Sequence, residues 1–173
     1  MLIRALGHDD AATYHALRVR SLREHPEAFG RTPEEVDPVD AIARRLAENL
    51  GSDADFLLGA FDGRALVAAS GCHREQGVKH RHIGYIWGVY VAPEVRRTGL
   101  GRKIFEATVE RARAWPDLEQ LWLEVTTINT SARALYRSCG FRSVAVKTAS
   151  LKLGDRYYDE EFMVLHVRGP GAG

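Results

Sequence analysis

The stretch Val89-Tyr90-Val91-Ala92-Pro93-Glu94-Val95-Arg96-Arg97-Thr98-Gly99-Leu100-Gly101-Arg102-Lys103 constrains the fold more than any other part of the chain. Its β-branched and aromatic start predicts a strand, and Pro93, which lacks an N–H, ends it. Two glycines one residue apart then open a helix, in which Ile104, Phe105, Val109 and Ala112 recur at helical spacing. Glycines in such a turn let backbone N–H groups approach a ligand, and the helix N-terminus turns partial positive charge toward it. Arg96, Arg97, Arg102 and Lys103 add four cations within eight residues. Together these features describe a site for an anion, a phosphate or pyrophosphate. Two familiar phosphate loops do not fit. A Walker A loop needs Gly-Lys-Ser/Thr, whereas Gly101 is followed by Arg102-Lys103-Ile104, and the dinucleotide pattern needs a third glycine where Ile104 stands.

Around this turn the remaining elements follow from periodicity. Leu2 to Ala5 predicts a short strand, and Asp9-Asp10 a cap for a helix reaching about Glu24, broken by His25-Pro26. A second helix is expected from about Val39 to Leu50, stopped by Gly51. Strands are expected over Asp55 to Phe61, Ala65 to Arg74 and His82 to Val91, the first two joined through Asp62-Gly63. Leu121, Leu123 and Val125 alternate as in a strand. Ala132, Leu135, Tyr136 and Cys139 form one helical stripe, which Gly140 ends. Phe141 to Lys152 and Tyr157 to Val167 are a closing strand pair about Gly154-Asp155. The expectation is a single α/β domain over residues 1–168 with a flexible tail over 169–173.

Composition excludes some partners. Twenty-four Lys and Arg against 23 Asp and Glu give a net charge of +1, which speaks against a nucleic-acid partner. No run approaches the roughly 18 apolar residues of a membrane span, and two cysteines make no disulfide framework, so a cytoplasmic protein is expected. His80 and His82 share one side of a strand but have no third ligand, so no metal is expected.

Arg96-Arg97-Thr98-Gly99-Leu100-Gly101 resembles the Arg/Gln-x-x-Gly-x-Gly/Ala motif of the GNAT superfamily of acetyl-CoA-dependent N-acetyltransferases, preceded as there by a Val-x-Pro strand end. Asn129-Thr130-Ser131-Ala132-Arg133-Ala134-Leu135-Tyr136-Arg137-Ser138-Cys139-Gly140-Phe141 resembles the family's second signature, Asn-x-x-Ala-x-x-Leu-Tyr-x-x-x-Gly-Phe. The two stand in the family's order and spacing, and the resemblance covers nearly the whole chain. It implies a GNAT-like fold: a mixed central sheet of about seven strands, an antiparallel meander plus a parallel pair, flanked by about four helices.

The resemblance also implies site residues. The pyrophosphate of acetyl-CoA would lie on the amides of Arg97, Thr98, Gly99, Leu100 and Gly101, with Arg96 and Arg102 near the phosphates. The main chain of Val89, Tyr90 and Val91 would pair with the pantetheine arm, and Asn129 would hydrogen-bond it. Tyr136 would protonate the departing thiolate, although its stripe also suits a core tyrosine. The acceptor would be a primary amine, a small molecule or a peptide amino terminus, attacking the thioester directly. A lysine-like amine costs about 4.6 kcal/mol to deprotonate at pH 7, so a general base is expected. Many relatives carry a Glu or His where Tyr85 and Trp87 stand here. Glu124 is the expected replacement. It faces away from Leu121, Leu123 and Val125, twelve residues before Tyr136, and Leu123-Glu124-Val125 with Asn129 is similar to bacterial protein N-terminal acetyltransferases. Its other reading is a carboxylate satisfied by a neighbouring Arg. His73, Glu75, Phe29, Arg31, Glu34 to Asp37 and Lys152 to Tyr158 are expected around the acceptor. A homodimer is one assembly the family adopts. The alternative function is an acetyl-CoA-binding sensor or interaction domain without turnover, against which the presence of both Asn129 and Tyr136 weighs.

Overall fold

The computed structural model describes residues 1–168; the expected tail at 169–173 lies outside the described residues. In chain order the elements are β1 (Leu2–Ala5), α1 (Ala11–Glu24), α2 (Val39–Asn49), β2 (Asp55–Asp62), β3 (Ala65–Arg74), β4 (Ile83–Val91), α3 (Leu100–Arg113), β5 (Gln120–Thr126), α4 (Thr130–Ser138), β6 (Arg142–Leu153) and β7 (Arg156–His166). The strands form one seven-stranded mixed sheet in the order β1-β2-β3-β4-β5-β7-β6. Its one parallel neighbour pair among the described residues is β4 and β5, joined through α3.

Boundaries follow local chemistry. Gly63 takes φ +57° and turns β2 back onto β3. Asp10 does not cap α1 with its own side chain; its carboxylate accepts from the Gly7 N–H at 2.8 Å and pairs with Arg4, and a short 3-10 turn precedes the helix. The apolar stripe of α3, with Ile104, Phe105, Val109 and Ala112, is fully inside, where each large side chain contributes about 1.5–3 kcal/mol by leaving water. Strand alternation assigns the faces. Gly84 backs onto Leu121, Leu118 and Trp115 on the α3 side, whereas Trp87, one residue out of phase, meets Arg45 of α2 on the other.

One defect in the sheet shapes everything near the site. Between Ala69 and Gly71 of β3 the register with β4 slips, so that Gly88 and Val89 together stand opposite Ser70, and Gly88 takes φ +64°. A bulge of this kind bends its strand and strengthens its twist. Accordingly β4 pairs with β5 only from Ile83 to Tyr85, against Gln120 to Trp122, and the strands then part. Beyond Tyr85 the β5-facing edge of β4 has no strand partner, while the far edge of β5 stays paired with β7 along its whole length.

Candidate active site

At the head of α3 the glycine turn is a row of donors. Gly99 precedes the helix at φ +82°, Arg97 is also left-handed at φ +62°, and the Thr98 hydroxyl donates to the Val95 carbonyl at 2.8 Å. The first backbone bond of the helix runs from the Lys103 N–H to the Gly99 carbonyl, at 3.1 Å. The N–H groups of residues 97–102 have no protein acceptor among the described residues. Six consecutive unpaired donors at a helix N-terminus make a concave anion site. Two of the four predicted cations beside it are occupied elsewhere. Arg96 donates to the Val91 carbonyl and to His25 Nε2, each at 2.9 Å, and lies 4.0 Å from Glu24. Arg102 bridges Glu106 at 3.1 Å and the Ser138 hydroxyl at 2.7 Å, clamping α3 to α4. Arg97 stays exposed.

The turn is braced against the end of α1. Arg20 holds Glu24 at 2.8 Å and Glu94 at 2.7 Å, and the Tyr90 hydroxyl donates to Glu24 at 2.7 Å. Burial and this bond push the Tyr90 phenol up to about 12, while the Tyr90 and Arg20 donors hold Glu24 below the usual carboxylate range. The side chain of Tyr90 is thus structural, and its main chain stands opposite Ala69 of β3.

Across the gap, Asn129 caps α4: its Oδ1 accepts from the Ala132 N–H and the Ser131 hydroxyl, each at 3.2 Å. That leaves the Asn129 amide nitrogen as its donor toward any arm in the gap. Tyr136 is buried on the α3 side, with its ring centroid 4.7 Å from Phe105 and 6.4 Å from Phe141, and burial raises its phenol further. Arg133 and Arg137 anchor α4 on the buried Glu161, with Arg137 at 2.9 Å. Although burial opposes ionisation of Glu161, hydrogen bonds from Arg133, Ser143 and Arg137 hold it below the usual range.

On the opposite face, between α1, α2 and the sheet, lies a cleft of about 610 Å³. Glu124 opens into it, as strand parity requires. Burial and the nearby Glu160 push the Glu124 carboxyl up, and Lys147 partly offsets them; among the described residues no arginine pairs with it. His73 stacks on Tyr85 at 5.6 Å and 16°. The Trp87 indole lies across Gly71, where a Cβ would come within 2.4 Å of it, and Arg45 covers the indole at 5.4 Å. Of the expected acceptor residues, Phe29, Arg31, Val36, Asp37 and His73 line the cleft, whereas Glu34, Glu35, Glu75, Tyr157 and Tyr158 do not. Lys147, Ser150 and Leu151 take the place of the Lys152 to Tyr158 segment. The cause is a register shift between Lys147 and Leu151, with Ala149 at φ +51°, which brings the middle of β6 to the cleft and carries the hairpin tip past it. Sequence reading missed Arg18, Arg45 and Lys147. The helical spacing of Tyr14 and Arg18 is the one signal that linked Arg18 to a buried face. Glu124 and Tyr136 therefore flank the gap from opposite faces of the sheet.

Residues 16–141 match the model of the acetyltransferase (GNAT) family. The chain belongs to that family and is by membership an acyltransferase. A GNAT-family acetyltransferase from Streptococcus pneumoniae superposes with a TM-score of 0.89 at 24% identity, over 96% of this chain and 99% of its own. A phosphinothricin acetyltransferase from Sinorhizobium meliloti, solved in complex with acetyl-CoA, superposes at 0.81 with 20% identity, over 95% of this chain and 87% of its own. The mycothiol acetyltransferase of Thermobispora bispora is 34% identical over 137 residues, which is 78% of this chain and 43% of that relative. The chain thus spans less than half of that protein. Among the described residues no cluster of three or more His, Cys, Asp or Glu suits a metal ion, and no helix is long and apolar enough to cross a membrane.

Proposed function

We propose that the protein moves the acetyl group of acetyl-CoA to a primary amine by direct attack. The observation that carries this reading is the row of six unpaired N–H groups at residues 97–102, beside a sheet gap that opens onto the cleft holding Glu124. The donors suit the pyrophosphate, and the strand-free edge of β4 leading up to Val91, whose carbonyl Arg96 already takes, suits an extended amide-bearing arm running toward the gap. Glu124 takes a proton from the incoming ammonium, and the freed amine attacks the thioester carbonyl from the cleft side. The C–S bond then breaks, Tyr136 gives its phenolic proton to the departing thiolate from the α3 side, and the second proton shed by the new amide nitrogen passes through solvent to restore the phenol. The directions of the two shifts support these roles: Glu124 is a stronger base than a free carboxylate, and Tyr136 holds its proton at neutral pH.

Thiol release from acetyl-CoA over a panel of primary amines tests the reading. Turnover with at least one amine is the expected result. Acetyl-CoA binding by calorimetry, with no thiol release on any amine, would replace the enzyme with a sensor.

A further inference from the structure

The cationic wall of the cleft contains one charge that the protein leaves unanswered. Arg31 has Asp37 at 3.7 Å, and Arg45 lies against the Trp87 ring. Arg18 sits over the Phe29 ring at 4.6 Å, and its Nη1 is buried with no hydrogen-bond partner. The groups whose charge reaches it are Tyr14 and Arg31. Tyr14 is a buried phenol whose ionisation burial opposes, and Arg31 is a like charge, so neither neutralises Arg18 at neutral pH. Gly88, at the bulge of β4, puts no side chain in the way; a Cβ there would lie 4.0 Å from Arg18 Nη1. A half-buried guanidinium without acceptor or counter-charge is costly unless a ligand supplies both. Glu124, which opens into the same cleft from β5, would hold the opposite end of such a ligand.

We propose that Arg18 binds a carboxylate carried by the acceptor, so that the acceptor is a small amino acid-like zwitterion with its amine at Glu124 and its carboxylate at Arg18. The inference rests on the acetyl-transfer reading and narrows it: in a peptide amino terminus the α-carboxylate is tied up as an amide. A planar guanidinium with free N–H groups matches a carboxylate better than an ammonium would.

Matched acceptors test it: amino acids against their amides, and γ-aminobutyrate against butylamine, each followed by thiol release from acetyl-CoA. The wild-type protein is expected to favour the acids in kcat/KM by tenfold or more. Arg18→Met, which keeps the apolar stem over Phe29, should lower kcat/KM for the acids roughly 10- to 100-fold, mainly through KM, to the level of the amides. Arg18→Lys should recover part of the preference. An equal fall for acids and amides, read in kcat, would overturn the proposal and move Arg18 to the thioester carbonyl. A wild-type preference for amides would overturn it too. Binding supplies an arm independent of turnover, in which N-acetylated amino acids should raise the melting temperature of wild type and not of Arg18→Met. That Arg18-dependent shift without thiol release would retire acetyl transfer while keeping the carboxylate site; turnover without the shift would do the reverse.

Discussion

The two halves of the site are made from different material. The half proposed for the cofactor is main chain: consecutive N–H groups at residues 97–102 and the edge of β4 without a strand partner among the described residues. The acceptor half is side chains, drawn from α1, α2, the loop between them and strands β3 to β7. Recognition by backbone is indifferent to which side chains stand nearby, provided the chain can take the turn. That is why Arg96 and Arg102 can be diverted to bracing α1 and α4 without emptying the anion site of donors. Recognition by side chains has no such reserve, because each contact depends on one residue.

The contrast can be broken in several places. The largest effect is expected on the acceptor half: Glu124→Gln should lower kcat about 10²- to 10⁴-fold with little change in KM for acetyl-CoA. A large rise in that KM would show the halves to be coupled. The same variant carries the pH test. Burial and Glu160 raise the Glu124 carboxyl, and only the ionised form accepts a proton. The wild-type rate should therefore fall on acidification at a pH above the ordinary carboxylate range, and Glu124→Gln should lose that limb. Tyr136→Phe keeps the ring between Phe105 and Phe141, so a fall in thiol release of about 10²-fold, with an unchanged melting temperature, would isolate the missing hydroxyl.

Smaller effects are expected on the cofactor half, and they should follow conformation rather than charge. At Gly99 a Cβ meets nothing within 4 Å, but φ is +82°. Gly99→Ala should cost roughly 1–2 kcal/mol of backbone strain, seen as a several-fold to about 30-fold rise in KM for acetyl-CoA. Arg102→Ala, which removes a cation already held by Glu106 and Ser138, should raise the same KM by no more than about threefold, the scale of an exposed ion pair. If Arg102→Ala proved the worse of the two, side chains and not backbone would carry the phosphate.

The same division explains what could be read from the sequence. The glycine turn was legible because its residues are contiguous and its function needs positive φ, which glycine makes visible. Glu124 was legible through strand parity, since Leu121, Leu123 and Val125 bury the opposite face. Proximity in sequence misled at Arg96, whose partner Glu24 lies on another element and is reached only by folding. It misled again at Tyr157 and Tyr158, because a bulge about Ala149 resets the β6–β7 register in a way no local pattern announces. Arg18 was invisible for the same reason: an arginine on a helix becomes significant only once no acid has been brought to it.

Three residue pairs are all that zip β4 to β5. The sheet is thus two panels on a short seam, and under the proposed binding mode a donor molecule laid along the open edge of β4 would mend the seam while it waits to react. By mass action, a ligand at a hundred times its dissociation constant adds about 2.7 kcal/mol to the folded state, a large share of the roughly 5–15 kcal/mol that holds an ordinary domain together. An idle copy starved of its acyl donor should then melt earlier and be digested faster than a fed one, so that the supply of acetyl-CoA would set the protein's endurance as well as its pace.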